Sequence, residues 1–199
     1  MAENKPKDER INAIIEAAVS EFLLKGYEGT SINSIAKRAG LSKGGFYHHF
    51  KNKDDILLAA NYRYMEPITG MMEKAKTYNN PIDALKIFIN DYLSYWPEHT
   101  RELQFTFLSI YKMIPQKIMW NEITQYTKNM TSFLESLFIK GIISGKFIKH
   151  DPKSRAITLF SALDGITAYL IMNESFSVQT AAENFEKVFI SDILKQKNI

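Results

Sequence analysis

The sequence predicts an all-α chain, a small amino-terminal three-helix unit followed by a larger helical one, and three observations lead there. Apolar residues recur at three- and four-residue spacing over most of the length, no segment alternates with period two long enough to make a strand, and Gly and Pro punctuate the pattern at intervals suited to short connections. The 199 residues, 45% hydrophobic and 24% charged, are ordinary for a globular protein able to bury a sizeable core. There is no cysteine, so neither a disulfide framework nor a thiolate zinc site can form. The opening ten residues are polar and no run is expected to span a bilayer, which points to a cytoplasmic protein with no membrane partner.

In chain order, Ile11, Ile14, Ile15, Ala18, Val19 and Phe22 predict a first helix from Asp8 to Leu24, ended by Gly26. A second should start after Thr30 or Ser31, hydroxyl residues that accept from first-turn amides, and stop at Gly40. Ser42 opens a third, predicted to reach Phe50, with Phe46 and Phe50 inward and Lys43, Tyr47 and His48 outward. Two short helices joined by a tight Gly turn make the unit that fits a major groove. Asn52 is placed to cap a long fourth helix, with Asp55 returning a bond to the cap's own amide. Pro67 lies inside its stripe and predicts either a kink between Arg63 and Pro67 or a stop and restart. Pro81 begins a fifth helix that Trp96-Pro97 should stop, Glu102 to Met113 make a sixth, and Pro115 begins the longest, its end loosened by Gly141 and Gly145. Two more are expected from about Pro152 to Asn173 and from Ser177 to Lys195.

Charge is local. From Lys25 to Lys53 there are six basic residues against one acid, Glu28, while residues 54 to 199 hold equal numbers of each sign. A phosphate-binding surface requires such a concentration. A solvated charged face is the alternative, and here the basic cluster coincides with the two-helix unit.

The run Ile35-Ala36, Ala39-Gly40, Ser42-Lys43-Gly44-Gly45-Phe46-Tyr47-His48-His49-Phe50 and Lys53 resembles the DNA-binding signature of the tetracycline-repressor (TetR) family of bacterial transcription regulators. The resemblance covers roughly residues 10 to 58 in motif detail. It implies a DNA-binding domain over 1–53 and a helical ligand-binding and dimerisation domain over 54–199, with Ser42 to Phe50 as recognition helix. By resemblance the DNA-facing residues are Thr30, Ser31, Ser42, Lys43, Gly44, Gly45, Tyr47, His48, His49 and Lys53. Lys43 and Gly44 would approach bases, and Tyr47, His49 and Lys53 would meet phosphate. Gly45 stands where Thr or Ser is frequent, so a hydroxyl contact is lost, and two adjacent glycines lower helix propensity by about 1 kcal/mol each. The fourth helix would couple ligand to head and is taken as their only covalent link.

Aromatics make up 13% of the chain. Most belong to an ordinary core, yet Tyr92, Trp96, Phe107, Tyr111, Met119, Ile123, Tyr126 and Met130 could line a cavity for a small apolar or aromatic effector, since Met and aromatics make tolerant pockets. From Ala156 to Met172 Asp164 is the only charge, and a helix apolar nearly all round needs cover on every side. Either one chain buries it, or the last two helices of two chains form a two-fold four-helix interface through Phe160, Asp164, Ala168, Ala182, Phe185 and Phe189.

Enzymatic chemistry finds no motif. His48 and His49 are adjacent, which on a helix sets them about 100° apart, and no Gly-rich phosphate loop follows a strand. No cofactor or metal is implied. The expected function is a ligand-responsive regulator, a repressor in homodimeric form, that leaves a palindromic duplex operator when effector binds. The alternative is a non-catalytic ligand-binding or protein-interaction module without specific DNA reading.

Overall fold

The computed structural model describes residues 7–114, 120–172 and 175–195. Within them the chain forms α1 (Lys7–Gly29), α2 (Ile32–Arg38), α3 (Lys43–Tyr47), α4 (Lys53–Lys76), α5 (Pro81–Glu98), α6 (Thr100–Met113), α7 (Trp120–Ile143), α8 (Pro152–Met172) and α9 (Val178–Phe189). A 3-10 turn follows at Ser191–Ile193. The expected start of α7 at Pro115 lies outside the described residues.

The local signals act largely as their chemistry requires. α1 breaks at Gly26 (φ 71°, ψ 168°), and Gly40 turns the chain between α2 and α3 at φ 69°. Ser31 and Ser42 cap α2 and α3 by accepting from the Ser34 and Gly45 amides at 3.0 and 3.1 Å. Asn52 accepts from the Asp55 amide at 2.8 Å, but Asp55 accepts from the Lys51 amide at 3.0 Å rather than from the cap's own N–H. α3 is shorter than expected, ending at Tyr47 with His48 as its C-cap. α4 runs through Pro67 as one helix and neither stops nor restarts there, while α5 takes Pro97 into its last turn.

The residues pack as two compact units, and the division differs from a cut after Lys53. The first contains 7–66 and 101–114, hence all of α6 but its first residue; the second contains 67–100, 120–172 and 175–195. The first is built on Ile14, Ala18, Val19, Phe22, Ile35 and Phe46, none of them exposed. α6, expected in the ligand domain, joins this unit through Phe105, whose ring centroid lies 6.3 Å from Phe22 and 5.5 Å from Tyr64. The Arg101 guanidinium ties its start to α1, donating to Glu16 Oε2 at 2.7 Å and to Ser20 Oγ at 3.0 Å. Glu21, almost fully buried, accepts from Lys25 Nζ at 2.6 Å and Arg38 Nε at 2.7 Å. These two bonds, Lys25's first, hold its carboxyl at about 2, well below the usual carboxylate range.

In the second unit α5 packs on α7, α8 and α9 around Leu85, Phe88, Tyr92, Trp96, Leu134, Phe138 and Leu163. Gly141 does not loosen α7. A Cβ there would sit 1.9 Å from Phe147 Cδ2, so the missing side chain is what lets Phe147 close over the helix. The expected helix to Lys195 ends at Phe189, and the chain then pairs with the α7–α8 connection: the Ile148 amide donates to Ile193 O and the Lys195 amide to Lys146 O, both at 2.9 Å. Against the expectation that no run reaches a membrane-spanning length, α8 is long and apolar enough to do so by composition. Its Ala156, Leu159, Phe160 and Leu163 are nevertheless buried, on a helix packed against α5, α7 and α9.

Candidate nucleic-acid interface

The basic head gathers its outward groups around a recess of about 350 Å³ lined by Thr30, Ser31, Ile32, Asn33, Lys43, Tyr47 and Lys53. Three elements supply them: the start of α2, the exposed side of α3 and the first residue of α4. Lys43 is exposed and makes no ion pair among the described residues. Tyr47 is half exposed, standing edge-on to the buried Phe46 ring at 5.8 Å. The spacing explains the split, since Phe46 faces the core and its neighbour emerges from it.

Lys53 is held in place. Its ammonium donates to the carbonyls of Tyr27 and Thr30, each at 2.8 Å, and lies 4.4 Å from the Tyr27 ring centroid. An ammonium has three N–H donors, so one remains for a ligand, on a side chain whose rotamer freedom is already spent. A phosphate oxygen entering the recess would meet Lys43, Tyr47 and this third donor, and the site offers no competing carboxylate among its lining residues.

Several expected DNA contacts are placed otherwise. Thr30 is a correction: its hydroxyl is buried between the carbonyls of Glu21 at 2.9 Å and Gly26 at 2.8 Å, and only its backbone serves Lys53. The Ser31 and Ser42 hydroxyls remain exposed while their oxygens cap α2 and α3. Gly44 and His48 are exposed and Gly45 and His49 half-buried, outside the recess. Ile32 and Asn33 were missed; their one signal is position, immediately after the cap of α2.

The second unit contains a cavity of about 480 Å³ between the later part of α4 and α7, lined by Thr69, Met72, Glu73, Lys76, Tyr126, Asn129, Met130, Ser132, Phe133 and Ser136. Of the eight residues expected to bind effector, it contains Tyr126 and Met130. Tyr92 and Trp96 are core, each 2% exposed, and the Tyr92 hydroxyl donates to Asp164 Oδ1 at 2.5 Å. Phe107 and Tyr111 lie on α6 in the first unit, 46% and 83% exposed. Ile123 is half-buried away from the lining, and Met119 lies outside the described residues. Thr69, Met72, Glu73 and Lys76 were missed, because α4 and α7 are brought together by tertiary packing that no local pattern reports. Burial first, and the Asp164 charge second, push the Tyr92 hydroxyl's pKa well up, which keeps it the donor in that bond.

The expected interface residues also need correction. Phe160, Ala182, Phe185 and Phe189 are buried within their own chain, Ala168 is half-buried, and of the six only Asp164 is exposed. The large apolar groups that face solvent on these helices are instead Ile157, Tyr169 and Met172 of α8 and Val188 of α9, and an added Cβ at Gly165 of α8 would meet nothing within 4 Å. Among the described residues no three acidic or His side chains are placed to hold a metal ion.

Residues 14–60 match the family model described as bacterial regulatory proteins, tetR family. The chain is 32% identical over 111 residues to the transposon Tn10 TetC protein of Escherichia coli, covering 56% of this chain and 54% of that protein, so it spans about half the length of this relative. It is 26% identical over 195 residues to the fatty acid metabolism regulator protein of Bacillus subtilis (strain 168), covering 95% and 98% of the two chains. In three dimensions it superposes on AibR, solved in complex with isovaleryl coenzyme A and operator DNA, with a TM-score of 0.70 at 22% identity, covering 90% of this chain and 98% of AibR. At that identity the last comparison shows the fold.

Proposed function

Because the chain belongs to the tetR family of bacterial regulatory proteins, we propose that this transcription regulator is a repressor that binds a palindromic duplex operator as a homodimer and leaves it when a small, largely apolar effector enters the second unit. The observation that carries the proposal is the recess in which Lys43, Tyr47 and the tethered Lys53 converge, at the centre of a head with six basic residues and one acid between Lys25 and Lys53. Lys43, at the exposed start of α3, is the side chain assigned to a base edge, and Tyr47 and Lys53 are assigned to phosphate. A two-fold dimer would place two such heads on half-sites about 34 Å apart, one helical turn, or a multiple of that. The exposed apolar face of α8, with Val188 of α9, is the surface assigned to the partner copy.

The effector site is assigned to the 480 Å³ cavity, whose Met72, Met130 and Phe133 offer apolar contact while Thr69, Asn129, Ser132 and Ser136 offer hydrogen bonds. A ligand with an acyl or aryl body and a polar head suits that lining, and the isovaleryl coenzyme A bound by AibR is one such molecule. Binding selection on random duplexes tests the DNA reading. It should return a near-palindromic motif, and repeating it with Lys43→Ala should change the preferred base at symmetric positions. A monomeric footprint on one half-site would reject the dimer. Thermal-shift screening with short-chain acyl thioesters and aromatic acids tests the cavity: a stabilising compound whose effect disappears in Ser132→Trp, which fills the space, places the ligand there.

A further inference from the structure

From Lys25 to Lys53 the head carries a single acid, Glu28, and α6 supplies its partner. The Lys112 ammonium is ion-paired with the Glu28 carboxylate; the Glu28 side chain is 80% exposed and that of Lys112 only 19%. The same ammonium lies 4.4 Å from the Tyr27 ring centroid, as does that of Lys53. One aromatic ring thus joins the α6 cation to the cation of the phosphate recess, while the Tyr27 hydroxyl donates to Asp54. Glu28 senses both lysines: the hydrogen bond from Lys112 chiefly, and the charges of Lys112 and Lys53 in addition, hold its carboxyl below the usual range.

We propose that Lys112 is an affinity-setting residue for the DNA-facing surface: it neutralises Glu28, and removing it from Glu28 uncovers a negative charge beside Lys53 that opposes a phosphate. Lys112 touches neither base nor phosphate in this scheme and acts through Glu28, as a positioning and masking residue. The inference rests on the reading of the recess as a phosphate site. It also gives α6 a defined electrostatic output, since any movement that separates Lys112 from Glu28 makes the charge local to Lys53 more negative.

The test uses the full chain and a 30-base-pair duplex of mixed sequence, about three helical turns, with affinity read by fluorescence anisotropy at low and at near-physiological salt. Lys112→Met keeps the buried stem and removes the charge, and should weaken binding about threefold at low salt, less at the higher salt, as expected for one uncovered charge within a screening length. Glu28→Gln alone should tighten binding, and Glu28→Gln combined with Lys112→Met should restore wild-type affinity or better. Lys112→Gln repeats the measurement should the Met variant fail to fold. Weakening that Glu28→Gln does not rescue would overturn the masking role, as would affinity in both Lys112 variants equal to wild type. Lys53→Met serves as the control for the reading beneath: a weakened complex with a shallower salt dependence supports it, and unchanged affinity overturns it together with the inference.

Discussion

Glu21 allows a prediction whose size follows from the structure. Its carboxylate is 4% exposed and bridges Lys25 within α1 to Arg38 at the end of α2, so it fixes the helix that braces the head to the helix that precedes the turn. The carboxyl is held at about 2, against 4.5 for the free group. Because the folded value is depressed, the stabilisation is fully present above the unfolded value and is lost as pH falls from about 4.5 towards 2. Both cations are 44% exposed, so solvent screens the pair and the contribution at neutral pH is about 1 kcal/mol, well under the full linkage value. Glu21→Gln keeps the shape and an acceptor oxygen but loses the charge, so it should cost the first unit about 1 kcal/mol at pH 7, with Lys25 and Arg38 free to turn to water. Urea unfolding followed by circular dichroism at several pH values measures it. The difference between wild type and variant should shrink steadily below pH 4.5 and nearly vanish at pH 2. A loss below about 0.5 kcal/mol at pH 7, or a gap independent of pH, would show that the bridge merely occupies its site.

Three further outcomes are expected. Gly45→Ala should stabilise α3 by about 1 kcal/mol, because a Cβ there would meet Ser42 Oγ at 3.5 Å and Leu41 Cβ at 3.6 Å, ordinary contacts, and the change appears as slower amide exchange from Gly44 to His48. Phe185→Glu should unfold the second unit, at a cost of at least about 4 kcal/mol by thermal melting, since Phe185 is buried and its ring lies 5.5 Å from that of Phe189. Met172→Glu, at a position 77% exposed, should change chain stability by less than about 0.5 kcal/mol yet shift sedimentation toward monomer, and an unchanged sedimentation profile would remove this face from the interface.

What the sequence disclosed depended on how local each signal was. The head was legible because its determinants lie within a few residues of one another: Ser31 and Ser42 cap, Gly40 turns, Phe46 and Phe50 bury, and each does so through chemistry confined to one or two turns. The cavity between α4 and α7 was not, because its walls come from two elements distant in sequence, and richness in aromatics cannot distinguish a lining from a core. Tyr92 and Trp96 illustrate this: large rings reward burial, and both are spent on the interior. α6 carries apolar residues on more than one face, so periodicity could not show that Phe105 would turn inward and Phe107 and Tyr111 outward. For α9 the stripe was read correctly and its direction was not. Ala182, Phe185 and Phe189 cover their own chain, which leaves less conspicuous residues for a partner.

The placement of α6 changes how a signal from the second unit could reach the first. With α4 as the sole covalent link, stiffness at Pro67 would set the coupling, and Pro67→Ala would test it alone. Instead the chain passes between the units within α4, again at Thr100 and Arg101, and once more beyond α6. α6 is anchored to α1 at both ends, by Arg101 on Glu16 and Ser20 and by Lys112 on Glu28, with Phe105 between. A displacement carried by the chain on either side of α6 therefore acts on charged contacts inside the head, without passing through Pro67. Since coupling is a difference in free energy between two states, parallel routes contribute together, and loss of one leaves the remainder. The double variant Pro67→Ala with Lys112→Met separates them. If both routes operate, the ratio of operator affinity with and without saturating effector should fall further in the double variant than in either single one; a Pro67→Ala protein that already abolishes the ratio would restore α4 as the only path.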